Sequence, residues 1–180
     1  MWTLGRLIAL PTVTADASSK VAATVITNMS DAVARVRQTA IIAAAHAAPV
    51  TEAFDESLAR LAESGDQYVL AAIASTLMLN FEVMKGKTHF NEFLRFLCKL
   101  TPQTKGGIDN FDCVLYQLIS DESQQQLAVS CLTDWVHANA EDTPRDKSVS
   151  ELFDSTASEL ANRPTLLSQI ITDWFLSGNS

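Results

Sequence analysis

The sequence predicts an all-α fold. Three observations carry that expectation: apolar residues recur at helical spacing along the chain, Gly (6) and Pro (5) are scarce, and no segment alternates apolar and polar residues between turn signals. A repeated unit organises the pattern. Phe54-Asp55, Phe111-Asp112 and Phe153-Asp154 each have a leucine seven residues after the Phe, at Leu61, Leu118 and Leu160. Thr133-Asp134-Trp135 returns 39 residues later as Thr172-Asp173-Trp174. The unit reads as helix, polar turn, helix, most clearly from Phe111 through Ser120-Asp121-Glu122-Ser123 to Trp135.

Taken in order, residues 2–10 (Trp2, Leu4, Leu7, Ile8, Leu10) suit one short helix closed by Pro11. That abrupt beginning fits a fragment of a longer solenoid as well as a natural start. Asp16 is placed to cap the next helix, with Val21, Val25, Ile26 and Met29 on its apolar face. Ser30 or Asp31 caps a third, carrying Val33, Val36, Ala40, Ala44 and Ala47. Thirteen alanines in the first fifty residues favour helix and allow close helix approach. Thr51 opens a helix with Phe54, Leu58 and Leu61 in one stripe, and Asp66 caps its partner, bearing Val69, Ile73, Thr76, Leu77 and Phe81. Gly86 is expected to end that partner in a left-handed conformation. An extra amphipathic helix follows from Thr88 to Leu100.

Pro102 and Gly106-Gly107 make a looser junction at 101–109 within a single domain spanning 1–180. Asp109 is then placed to cap the helix of Phe111, Val114, Leu115 and Leu118. The helix from Leu127 runs to about Asn139, and 140–147 is a polar loop. Ser148 and Glu151 have capping-box spacing before Phe153, Thr156, Ala157 and Leu160. The last helix carries Leu166, Leu167, Ile170, Ile171, Trp174 and Phe175 before Gly178.

Antiparallel helix pairs recurring about every 40 residues resemble HEAT or armadillo-type α-solenoids. The run from Asp31 through Val36-Arg37 to Ala40 is similar to the HEAT inter-helix Asp, Val-Arg and packed Ala. The resemblance implies a short, irregular HEAT-like solenoid in which Asp31 and Arg37 hydrogen-bond between neighbouring repeats. It is irregular because no Arg follows Asp66 or Asp121 at that spacing, and because the Phe-Asp pairs stand 57 and then 42 residues apart. A non-repeating helical bundle is the alternative arrangement of the same helices.

Composition narrows the partners. Hydrophobic residues make up 47% of the chain and charged ones 19%, as in globular domains. The net charge of −8 repels phosphate, which argues against nucleic acid and anionic membrane and for a protein partner with a basic surface. Cys98, Cys113 and Cys131 form no CxxC pair and sit in apolar helical runs, so they read as reduced core thiols in a cytoplasmic, intracellular protein. Leu7–Leu10 is too short before Pro11 for a secretory signal.

No catalytic, metal or cofactor constellation emerges. His46, His89 and His137 are scattered, and His89 with Glu92 supplies only two ligands, so a solvated first turn is the preferred reading there. Cys131 and His137, six apart, face opposite sides of a helix. Gly106-Gly107 lacks the pattern of a phosphate cradle. Acidic clusters such as Asp121-Glu122 and Glu141-Asp142 lie in turns, and the tryptophans lie on apolar stripes.

The expected function is therefore a non-catalytic protein-interaction or scaffold module. The alternatives are an all-helical regulator or chaperone of one protein, and an enzyme with a thiol site assembled from distant residues around Cys113. Leu166 and Phe175, together with Ile170 on one of the two apolar edges of the last helix, are the expected contacts for a partner or for self-association.

Overall fold

The computed structural model describes residues 15–104, 106–139 and 149–177, with backbone alone at Ala15, Asp16, Val50, Phe175 and Ser177. Over these residues the chain is all-α, with eleven α-helices and no strand. They are α1 (Ala15–Asn28), α2 (Ala34–Ala47), α3 (Glu52–Ala62), α4 (Gln67–Leu79), α5 (Phe81–Met84), α6 (Phe90–Leu97), α7 (Gly107–Ser120), α8 (Gln125–Asn139), α9 (Val149–Leu152), α10 (Asp154–Ala161) and α11 (Pro164–Ser177). The expected helix at 2–10, the Asp16 side-chain cap, the polar loop at 140–147, Ser148 of the capping box and the Gly178 stop lie outside the described residues.

Local chemistry explains several boundaries. Asp66 caps α4 as its position predicts, accepting from the amides of Tyr68 at 2.8 Å and Val69 at 3.3 Å. Elsewhere the structure moves the boundary. The Asp31 carboxylate accepts from the Val33 amide two residues on, an Asx turn that delays α2 until Ala34. Val33 therefore stands outside the helix and 59% exposed, not on its apolar face. The long helix expected to reach Phe81 breaks at Asn80 into α4 and the single turn α5. Positive φ falls at Gly65 and Gly106, not at Gly86. Gly106, at φ +72°, is the N-cap of α7, so that helix starts at Gly107 and Asp109 lies in its first turn instead of capping it.

Helix contacts fall into two series. α1, α3, α6, α8 and α11 touch in that order, and so do α2, α4, α7 and α10, with the buried residues between them. Small residues bring α4 and α7 close: a Cβ on Gly107 would stand 3.3 Å from that of Ala71 on α4. Around α7 the core turns aromatic. Phe153 meets Trp135 edge-on at 4.7 Å between centroids and Phe111 at 5.9 Å, joining α7, α8 and the start of α10.

Both copies of the Thr-Asp-Trp motif tie their helix to its predecessor in the same series. Trp135 of α8 donates its indole N–H to the Leu100 carbonyl beyond α6, at 2.7 Å. Trp174 of α11 donates to the Thr133 hydroxyl of α8, at 3.2 Å. The 98–104 connection is held from the side by Gln67. Its amide nitrogen donates to the Lys99 carbonyl at 2.9 Å, while its oxygen accepts from the Thr101 amide at 2.9 Å and the Thr104 hydroxyl at 2.7 Å.

Candidate functional site

Asp31 and Arg37 come together within one turn. The Arg37 guanidinium donates to the backbone carbonyl of Asp31 at 2.7 Å, closing the α1–α2 connection, while the Asp31 carboxylate serves Val33. On α11, Leu166 is buried within the chain at 7% exposure, and the Phe175 side chain lies outside the described residues. The large apolar side chains that α11 exposes are Ile171 and Leu176.

The buried carboxylates escaped the sequence reading, which looked for acids in turns. Asp55 and Asp112, the second residues of two Phe-Asp pairs, are both buried, Asp55 in the first turn of α3 and Asp112 in the middle of α7. Asp112 reaches from α7 to the start of α10, where Phe153 offers no side-chain cap. Its oxygens accept from the amides of Ser155 at 2.9 Å and Thr156 at 2.8 Å, and the Thr156 hydroxyl returns a bond to the Asp112 carbonyl at 3.1 Å. Those two amides are among the orphan donors at any helix start. The signal was present: an acid beside a core Phe inside an apolar stripe has to find buried donors.

Asp55 stands on α3 near the start of α6, but neither of its carboxyl oxygens meets a hydrogen-bond partner. Burial pushes its pKa up, opposed by the charges of His89 and Lys87 and by the His89 amide, which is near the carboxylate but outside hydrogen-bond geometry. His89 is held in turn by Glu92, with Nδ1 and Oε2 2.7 Å apart, and that bond raises the imidazole pKa. The pair is part-buried, not the solvated first turn expected. Among the described residues no group of three or more His, Cys, Asp or Glu is placed to hold a metal ion.

Cys98 and Cys131 are buried and Cys113 is half-buried, all as free thiols. The Cys98 thiol bonds to the carbonyls of Leu94 and Cys131, each at 3.4 Å, and its pKa is pushed up by its pairing with Cys131 and by burial. Burial raises Cys113 too, helped by Asp112 and Asp109. A thiol nucleophile needs the opposite shift.

One cavity has the character of a binding site. It lies among α8, α9, α10 and α11, holds about 330 Å³, and is walled by Leu132, Val149, Phe153, Leu160, Leu167, Ile170, Ile171 and Trp174. Thr156, Ser150 and Ala157 complete it. Compared with known proteins, the chain matches no family model, no curated protein and no solved structure. Among the described residues no helix is long and apolar enough to cross a membrane.

Proposed function

We propose that this chain is a non-catalytic protein-interaction module, built as a short, irregular HEAT-like α-solenoid. The two contact series support the solenoid, because α1–α3–α6–α8–α11 and α2–α4–α7–α10 are what stacked helix pairs produce. The backward ties of Trp135 and Trp174 support it independently, since repeated units use repeated joints.

The observation that carries the interaction role is the open apolar cavity on the last four helices. It offers contact area to a partner, and among its lining residues there is no His, Cys, Asp, Glu or Lys. The net charge of −8 favours a basic partner. A chaperone or regulator dedicated to one protein is a narrower form of the same reading. The thiol-enzyme reading requires a reactive Cys113, which the raised pKa disfavours. Free thiols suit a reducing, cytoplasmic setting.

Affinity capture with chemical cross-linking tests the module. A stoichiometric protein partner cross-linked to this chain is expected, together with slow, unselective alkylation of the three cysteines at neutral pH. Rapid alkylation of Cys113 alone, with no partner captured, would hand the case to the enzyme.

A further inference from the structure

The cavity on the last four helices specifies more than a protein partner in general. We propose that it receives the apolar side chains of a cationic amphipathic helix. This rests on the interaction reading above and adds the place and the chemistry.

Size comes first: about 330 Å³ is small for a pocket but sufficient for a few apolar side chains. Its polar wall groups are engaged elsewhere. The Thr156 hydroxyl donates to the Asp112 carbonyl, and the Trp174 indole donates to Thr133. The wall therefore offers hydrocarbon contact, and what enters has to be hydrocarbon. Ile171 lines the cavity while 43% exposed, so the cavity reaches solvent there.

Charge decides what carries that hydrocarbon. Residues 1–105 hold ten Lys and Arg against nine Asp and Glu, whereas residues 106–180 hold three against twelve. The acidity of the chain thus belongs to its C-terminal part. Among the described residues, α8–α11 and their connections bring five acids (Asp134, Glu151, Asp154, Glu159, Asp173) and one Arg or Lys. That cation, Arg163, is paired with Glu159 at 2.8 Å. An apolar cavity in a negative field selects apolar anchors flanked by lysine or arginine. A helix presents them together, with leucines at i, i+3, i+4 and i+7 and cations on the flanks. A second copy docked through these same acidic helices would bring like net charges together, so it fits less well.

The test uses the full chain and two synthetic helical peptides that share one leucine stripe, one with lysine and one with glutamate elsewhere, read by fluorescence anisotropy. The lysine peptide is expected to bind at least about tenfold tighter, with affinity falling as salt is raised. Ile171→Ser and Ala157→Phe, which strip and fill the cavity, are each expected to weaken it about fivefold or more with helix content unchanged. Ile171 is exposed enough that its variant folds even if the packed Ala157→Phe does not. Equal binding of both peptides overturns the charge argument. Binding indifferent to Ile171→Ser, or self-association abolished by it without peptide binding, overturns the proposed occupant. In either case a cross-linked partner mapped elsewhere on the chain leaves the broader interaction reading standing, whereas no partner and no peptide binding removes both.

Discussion

Asp112 and Asp55 occupy corresponding places in two Phe-Asp pairs, each buried beside a core phenylalanine and each near the start of a later helix in its own series. Asp112 meets two backbone amides there and becomes the cap that α10 lacks. Asp55 has only the His89 amide nearby, outside hydrogen-bond geometry, and burial drives its pKa up. The same residue type at the same burial is thus a joint in one place and a cost in the other. What separates them is whether donors arrive, because an ionised carboxylate is expensive to bury without them.

The largest expected effect comes from the satisfied site. Asp112→Ala should lower stability by about 3 kcal/mol, or the melting temperature by about 6–12 °C, because two buried amides lose their acceptor. A loss close to zero would mean that water replaces the carboxylate and that the two sites are equivalent after all. Next is Trp135→Phe, which leaves the Leu100 carbonyl without its buried donor at an expected cost of about 1–3 kcal/mol. Since Trp135 packs on Phe153, a double-mutant cycle with Asp112→Ala would show whether the joint at α10 acts as a unit.

Asp55→Asn should go the other way, with the melting temperature at pH 7 rising by a few degrees, about 1 kcal/mol. The sign follows from linkage. A folded-state pKa raised by burial means that the contribution of Asp55 is fully present below its unfolded pKa and lost as pH rises through its folded pKa. The wild type should therefore gain on the variant as pH falls into the carboxyl range, and parallel pH profiles would remove Asp55 as the source.

The smallest effect belongs to His89→Gln. His89 is the strongest charge opposing the Asp55 shift and is itself raised by Glu92, so its contribution is present at acid pH and fades as pH rises through its folded pKa. A loss under about 1 kcal/mol at acid pH, fading only as pH rises past the raised imidazole pKa, is expected for this partly exposed pair. A loss independent of pH would assign the side chain to packing instead.

The helices themselves were legible because their apolar spacing is local. Phe54, Leu58, Phe93, Leu97, Phe111 and Leu118 all fall in the core where their stripes put them. Boundaries shifted where a side chain competed with the backbone, as Asp31 did before α2, or where a backbone conformation moved, as from Gly86 to Gly106. The candidate site was less legible. The stripe of Leu167, Ile171 and Trp174 was visible as excess apolar surface, but its meeting with Phe153 and Val149 joins three helices and cannot be read from any one of them. The role of Asp112 was hidden for the same reason, its partners being 43 and 44 residues away.

The indole ties of Trp135 and Trp174 both point toward earlier sequence. Each acceptor belongs to a segment finished before the donor's own helix is complete. Through these two ties dependence runs one way along the chain, whereas Asp112 and Gln67 reach forward to later segments. Trimming from the C-terminal side removes donors and frees acceptors such as Thr133, itself only half-buried, to water. Trimming from the N-terminal side strands an indole N–H inside the protein. At these two joints the molecule has a grain, like timber, and a cut made along it strands no indole.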